Sequence, residues 1–316
     1  MNMFIVVSQS VGIMLFIGLL GFFVAKKKLI PTDVLDLLSP LVLEIALPSL
    51  IFFRIIKTFN PTDFPFWYLY PLYWVIFTIA AIIMANIFKR LFKKESQEET
   101  NLSLVFQNGL FIPIIVITET FGPDASLLVD LFLFTIFYPA FFFNTYHLFF
   151  KKGKQQFNLR KTINPVLIAT SLGLLLKFTT GDQLIPEFIL TAIKMVGGMT
   201  IPLLMLIIGG NIYVDLQKTG KAVWGEIIKF IAVKNILFPI IGVGIILFFK
   251  LEYNIAFIIV MQAAAPPLTA LPIFASRAQG NREIVNQYLV SSLVFTLLSL
   301  PLILFVFDYL YKIQQR

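Results

Sequence analysis

The chain has 316 residues, 58% of them hydrophobic and only 13% charged, with a mean hydropathy of +0.88. A soluble domain of this size carries about a quarter charged residues, so the apolar surplus exceeds what one core can hold and has to face lipid. The net charge of +8 lies in short runs between apolar stretches, such as Lys26-Lys27-Lys28 and Lys93-Lys94; that pattern sets membrane orientation and argues against a nucleic-acid partner. The absence of cysteine excludes disulfides, thiolate metal sites and thiol catalysis.

A helix that crosses a bilayer needs roughly 20 mostly apolar residues. In chain order, about ten such stretches fall at 3–25, 34–56, 66–88, 101–121, 125–149, 164–178, 185–209, 222–248, 254–277 and 284–311. The first is too long for a signal-peptide core and lacks a small-x-small cleavage site before its lysines, so it is expected to be retained. The second holds Glu44 and Pro48. The fourth carries Gln107-Asn108-Gly109 and then Pro113, with Glu119 near its outer end, placed to line an exit. The fifth ends near His147, the only histidine, expected at the interface beside a basic loop. After a short connector, 151–161, the seventh stretch holds Lys194, which with Glu44 is expected to form a structural pair or a subunit contact. The eighth holds Glu226 and Lys229, expected to snorkel to the surface, and Lys234-Asn235, five residues before Pro239. The ninth contains Gln262, Pro266-Pro267, Thr269 and Pro272.

Loops after odd-numbered stretches carry sixteen Lys and Arg against four in the others; odd loops are therefore expected in the cytoplasm and both termini outside. The halves also resemble each other. Leu29-Ile30-Pro31 followed by Leu47-Pro48 matches Leu184-Ile185-Pro186 followed by Ile201-Pro202. Pro113 and Gly122 match Pro272 and Gly280, and Phe134-Thr135 with Pro139 matches Phe295-Thr296 with Pro301. Five spans is an odd number, so the second copy enters the membrane inverted, as in secondary transporters. The expected organisation is an all-α membrane protein with a first five-helix repeat at 1–150, the connector at 151–161, and a second, inverted repeat at 162–316.

Proline lacks an N–H and clashes with the carbonyl four residues back. Pro113 in the fourth stretch and Pro266, Pro267 and Pro272 in the ninth predict two broken helices at matching places. Freed backbone is tolerated in a membrane only where protein or a wet cavity satisfies it, so the breaks should cross inside the bundle. The second half-helices, expected to start near Ile114 and Ile273, then aim their N-termini at the crossing, a site for a small anion such as a carboxylate. Gln107, Asn108, Gln262 and Thr269 would add hydrogen bonds. Lys234, a cation inside a span, is by default a functional candidate. It is placed to attract that anion, to stand where a coupling cation sits in other transporters, or to pair with a carboxylate such as Asp130. No P-loop, no zinc-protease or serine-hydrolase motif and no paired-carboxylate motif occurs. Neither catalysis nor a cofactor is expected, and a gradient or the membrane potential would drive transport, at about 2.3 kcal/mol per charge per 100 mV.

Taken together, several of these residues resemble the auxin efflux carrier family over essentially the whole chain. They are Gly21 to Leu29 with Leu47-Pro48-Ser49-Leu50-Ile51-Phe52, Asn108-Gly109 to Pro113, Pro202-Leu203 to Gly209-Gly210, Lys234 with Pro239, and Ala265-Pro266-Pro267 to Gly280 followed by Pro301. The resemblance implies ten helices in inverted repeats with crossed, proline-broken fourth and ninth helices. It also implies organic-anion transport by an elevator-like movement, and a homodimer. By position it puts Asn108, Pro113, Pro267 and Pro272 at the crossover and makes Lys234 the basic residue before the eighth-helix proline. The Asn108-to-Pro113 spacing is shorter than in many members, and Thr269 stands where asparagine is frequent. The resulting expectation is a secondary transporter of the plasma membrane for a small organic anion, binding through Gln107, Asn108, Pro113, Lys234, Asn235, Gln262, Pro267, Thr269 and Pro272. Spans 1, 2, 6 and 7 would form a scaffold, and spans 3–5 and 8–10 a moving transport unit. The alternatives are a sodium-coupled symporter of the bile-acid type and a non-transporting membrane receptor or enzyme.

Overall fold

A computed structural model describes residues 3–29, 31–62, 64–151, 163–217 and 222–315, and all the regular elements among them are helical. The connector lies almost entirely outside the described residues, as do Lys218 and Lys221. Each apolar stretch read from the sequence forms helix. The first is α1 (Met3–Lys26). The second is α2 (Thr32–Leu41), a π-helical segment at Val42–Ala46 and α3 (Leu47–Thr58). The third is α4 (Leu69–Phe88). The fourth divides into α5 (Gln97–Val105) and α6 (Phe111–Phe121), and the fifth into α7 (Leu127–Thr135) and α8 (Tyr138–Thr145). The second half follows with α9 (Pro165–Phe178), α10 (Glu187–Gly198) with α11 (Thr200–Gln217), and α12 (Trp224–Ile231), a π-helical segment and α13 (Phe238–Phe249). It closes with α14 (Tyr253–Ala264), α15 (Leu271–Arg277) and α16 (Arg282–Gln314). Among the described residues, six helical runs, two of them with a one- or two-residue interruption, are long and apolar enough to cross a membrane, and shorter apolar helices accompany them.

Proline explains most departures from smooth helix. The π-helical segments Val42–Ala46 and Ala232–Leu237 each span the residue four before a proline, Glu44 before Pro48 and Asn235 before Pro239. The wider turn makes room where the proline ring and its missing N–H disrupt the helix bond. The fifth stretch, expected to be continuous, breaks between Thr135 and Tyr138, because Pro139 cannot bond the Thr135 carbonyl. Pro301, by contrast, is absorbed within the 33-residue α16. The seventh stretch runs on to Gln217, beyond the expected 209, with a discontinuity at Met199. Asparagines start two helices: Asn164 accepts the Leu167 N–H at 3.0 Å, and Asn281 accepts those of Glu283 and Ile284.

Exposed apolar stripes at helical spacing mark the lipid side. On α4 the stripe is Leu72, Ile76, Ile79, Ile83 and Ile87; on α16 it is Val294, Leu298, Leu302, Val306 and Ile313. The centre is filled by α7, all of whose residues are buried, and by α14, buried from Ile255 to Ala264 apart from half-buried Ile259. At the side, α1 packs on α11, and α3 on α9 and α10. Glycines bring backbone against backbone between α1 and α11 and between α10 and α3. A Cβ on Gly21 would strike the Leu206 carbonyl, one on Gly209 the Gly18 carbonyl, and one on Gly197 the Leu50 backbone. Small residues permit such approach in membrane helices, where close van der Waals packing replaces the hydrophobic drive.

The charged side chains correct several expectations. Glu44 and Lys194 form no ion pair with each other; both are exposed, and Lys194 lies 5.8 Å from the Phe53 ring centre. Glu226 does not snorkel. It is buried because Ser96 Oγ (2.9 Å) and the Lys93 N–H (3.2 Å) donate to one oxygen and Lys229 (3.1 Å) to the other. His147 is buried, with its ring edge-on to Tyr146. Glu119 is exposed near the end of α6.

Candidate functional site

The two interrupted helices meet. Between α5 and α6 the chain leaves helix at Phe106–Leu110, and between α14 and α15 at Ala265–Ala270. These stretches lie antiparallel, with Gln107 opposite Pro267. The Asn108 N–H donates to the Pro266 carbonyl at 2.7 Å, and the Leu268 N–H to the Phe106 carbonyl at 2.9 Å. Bonds made by the flanking residues on both sides define a pair in which neither opposed residue uses its own N–H. Proline therefore fits at 267 without losing a ladder bond.

Side chains reinforce the crossing. Gln107 Nε2 donates to Gln262 Oε1 at 3.1 Å, and Gln262 Nε2 donates to the Gly109 carbonyl at 2.6 Å. The Tyr138 hydroxyl, from the head of α8, donates to the Gln107 carbonyl at 2.5 Å. A Cβ at position 109 would collide with the Gln262 amide, so glycine is what lets that amide reach across. Gln107, Asn108 and Gln262 are all at most 2% exposed.

Asn108 is the chemically open member. Its Oδ1 accepts the Phe111 N–H at 3.3 Å, capping α6, while its Nδ2 is buried with no hydrogen-bond partner. A buried amide donor left unsatisfied is costly, and this one sits on the cap of a helix whose first turn presents unbonded N–H groups and partial positive charge. Pro113, third in α6, removes an N–H only where none is needed. The half-helices start at Phe111 and Leu271, slightly before the expected Ile114 and Ile273. Because α15 has only seven residues, the positive end of the site rests on α6. Pro272 heads α15, and Thr269 lies half-buried on the second unwound stretch.

Two other residues expected here make no hydrogen bond to the crossing among the described residues. Asn235 is buried and knits the eighth span to α16, donating to Thr296 Oγ1 at 2.8 Å and accepting from Ser292 Oγ at 2.8 Å. Lys234 is 1% exposed, with its Nζ 5.2 Å from the Phe238 ring centre. Among the described residues, no hydrogen bond or ion pair links Lys234 to the crossing, nor does it pair with Asp130. Asp130 instead accepts from Asn254 Nδ2 at 2.9 Å. The crossing is therefore lined by neutral amides and backbone. Gly109 and Tyr138 are contributors that sequence reasoning did not single out. The Asn108-Gly109 dipeptide is a turn signal that pointed to the first; nothing local pointed to the second.

A bundle of this kind, lipid-facing outside and carrying a polar, unwound crossing within, is an integral membrane protein. The family model described as "Membrane transport protein" matches residues 6–156 and 149–304. The chain belongs to that family, which includes the auxin efflux carriers, and is a membrane transporter. No curated protein matches it closely enough to stand as a relative.

Proposed function

We propose that the protein is a secondary transporter for a small organic anion, a carboxylate, held at the helix crossing. The observation that carries this reading is Asn108: a buried, unpartnered amide donor on the capped N-terminus of α6. A carboxylate oxygen satisfies that donor and meets the helix dipole, with no cation required. Lys234, which no hydrogen bond or ion pair links to the crossing among the described residues, belongs to the pathway or to the structure rather than to this donor set.

The reading includes ten spans in two inverted repeats. Supporting it, the breaks in the two halves begin after Val105 and Ala264 and end before Phe111 and Leu271, so the bridged pair Gln107 and Pro267 occupies matching places in the two copies. Packing is matched as well: α1 on α11 answers α9 on α3, and α4 on α5 answers α13 on α14. The scaffold (spans 1, 2, 6 and 7) and the transport unit (spans 3–5 and 8–10) are proposed to slide past each other in an elevator movement, in a homodimer of the plasma membrane with both termini outside.

A thermal-shift screen of purified protein against a panel of carboxylates tests the ligand class, since a ligand that binds only the folded state raises its melting temperature. A carboxylate hit should bind Asn108→Ala about ten- to a hundredfold more weakly, the loss expected for one hydrogen bond to a charged group. Uptake of that compound into proteoliposomes should fall in parallel. A panel without hits, or a hit that binds Asn108→Ala as tightly as wild type, would remove the anion reading.

A further inference from the structure

Asp130 presents a second chemistry, away from the crossing. It lies in the first turn of α7, at 0% exposure. One oxygen, Oδ2, accepts from Asn254 Nδ2 at 2.9 Å, and the Tyr70 hydroxyl also bonds to the carboxylate. The other, Oδ1, is buried with no partner. No salt bridge reaches Asp130 among the described residues.

The charged groups around it offer no neutralisation. Tyr70 and, beyond it, Tyr73 face it from the third span. From the ninth come Asn254 and the neighbouring Glu252, which is itself an acid. On the second span Arg54 is committed to Asp124, and Lys57 to Glu187 at 3.3 Å. On the fourth, Glu119 is exposed and of the same sign. An ionised carboxylate in such surroundings, with one oxygen bare and the nearest charge negative, carries a large desolvation cost. The positive end of α7 offsets only part of it. Ionisable groups placed this way inside membrane proteins mark ion or proton routes.

We propose that Asp130 is the seat of a small coupling cation, a proton or a sodium ion, which occupies Oδ1 and neutralises the carboxylate while it lies inside the bundle. A proton converts Oδ1 to a hydroxyl, with Oδ2 still accepting from Asn254; a sodium ion takes Oδ1 as an oxygen ligand. Asn254 opens α14 and Gln262 lies eight residues further along the same helix, about 12 Å at helical rise. One helix, α14, therefore bears both the Asp130 contact and the Gln262 contact at the crossing. The site exists whether or not the anion reading holds, so the two can fail separately.

The experiment uses purified full-length protein and no organic substrate. Wild type, Asp130→Asn, Asp130→Glu and Asn254→Leu are compared in two ways. Melting temperatures are taken at two pH values, with sodium chloride against choline chloride at constant ionic strength. Infrared spectra are scanned for the carbonyl stretch of an un-ionised carboxylic acid. A proton site gives wild type a neutral-pH acid band that Asp130→Asn lacks. A sodium site gives a sodium-specific rise in melting temperature that Asp130→Asn abolishes and Asp130→Glu keeps. Should Asp130→Asn not fold, Asn254→Leu must shift the same band or the same sodium response. Wild type showing neither response, or Asp130→Asn and Asn254→Leu both responding as wild type does, overturns the proposal.

Discussion

Asn108 divides its amide: the oxygen accepts the first N–H of α6 and the nitrogen is buried without a partner, the donor that the proposed anion would take. Tyr138 and Gly109 serve the same spot from behind. Removing the Tyr138 hydroxyl leaves the Gln107 carbonyl with only the Gly109 N–H, at 2.8 Å. Tyr138→Phe is accordingly expected to lower stability by about 1 kcal/mol, read as a lower melting temperature with helical circular dichroism unchanged. Gly109→Ala should displace the Gln262 amide, so its effect and that of Gln262→Ala should overlap. The double variant is expected to be clearly less destabilised than the sum of the two singles, and simple additivity in the double-mutant cycle would show that the contact carries no coupling.

Among the elements, the broken helices were the most legible in sequence, because proline acts locally: Pro113, Pro266, Pro267 and Pro272 announced the interruptions by themselves. Apolar length and helical spacing were equally readable, so each of the apolar stretches is helical, six of the runs among the described residues being long enough to span. What local rules do not encode is partnership between distant residues. Asn235 beside Lys234 looked like part of the site, yet its amide is used up by Ser292 and Thr296 on α16. Glu226 looked like a surface acid until the turn at Lys93–Ser96 supplied donors from another element. The prolines also give a test at this scale. Pro266→Ala/Pro267→Ala restores two N–H groups and lets α14 propagate, at the expense of the bridge to Gln107. Transport should be lost while helical circular dichroism stays level or rises; wild-type uptake would show that the unwound stretch is dispensable. Gly209→Ala, which drives a methyl into the Gly18 carbonyl, should cost about 1–3 kcal/mol as overpacking, measured as a fall in melting temperature.

At the scale of the whole molecule, few polar contacts tie the α1, α3, α9–α11 side to the rest. Arg54 on α3 pairs with Asp124 in the loop after α6, a loop that begins with Gly122 at φ 91°. Arg54 is buried and Asp124 is open to solvent, so the pair contributes only about 1 kcal/mol after screening. If the two sides slide, Asp124→Asn should change the rate of exchange in proteoliposomes by severalfold with little change in melting temperature. The crossing itself behaves differently. Main chain is stapled to main chain on both flanks of Gln107 and Pro267, and amides lock the layer behind. On the proposed reading, a passenger seated there would not be passed from one half to the other, because the halves are sewn into one carriage. Any journey that reading gives it would be the carriage's own, with the lining of dipoles travelling alongside the charge.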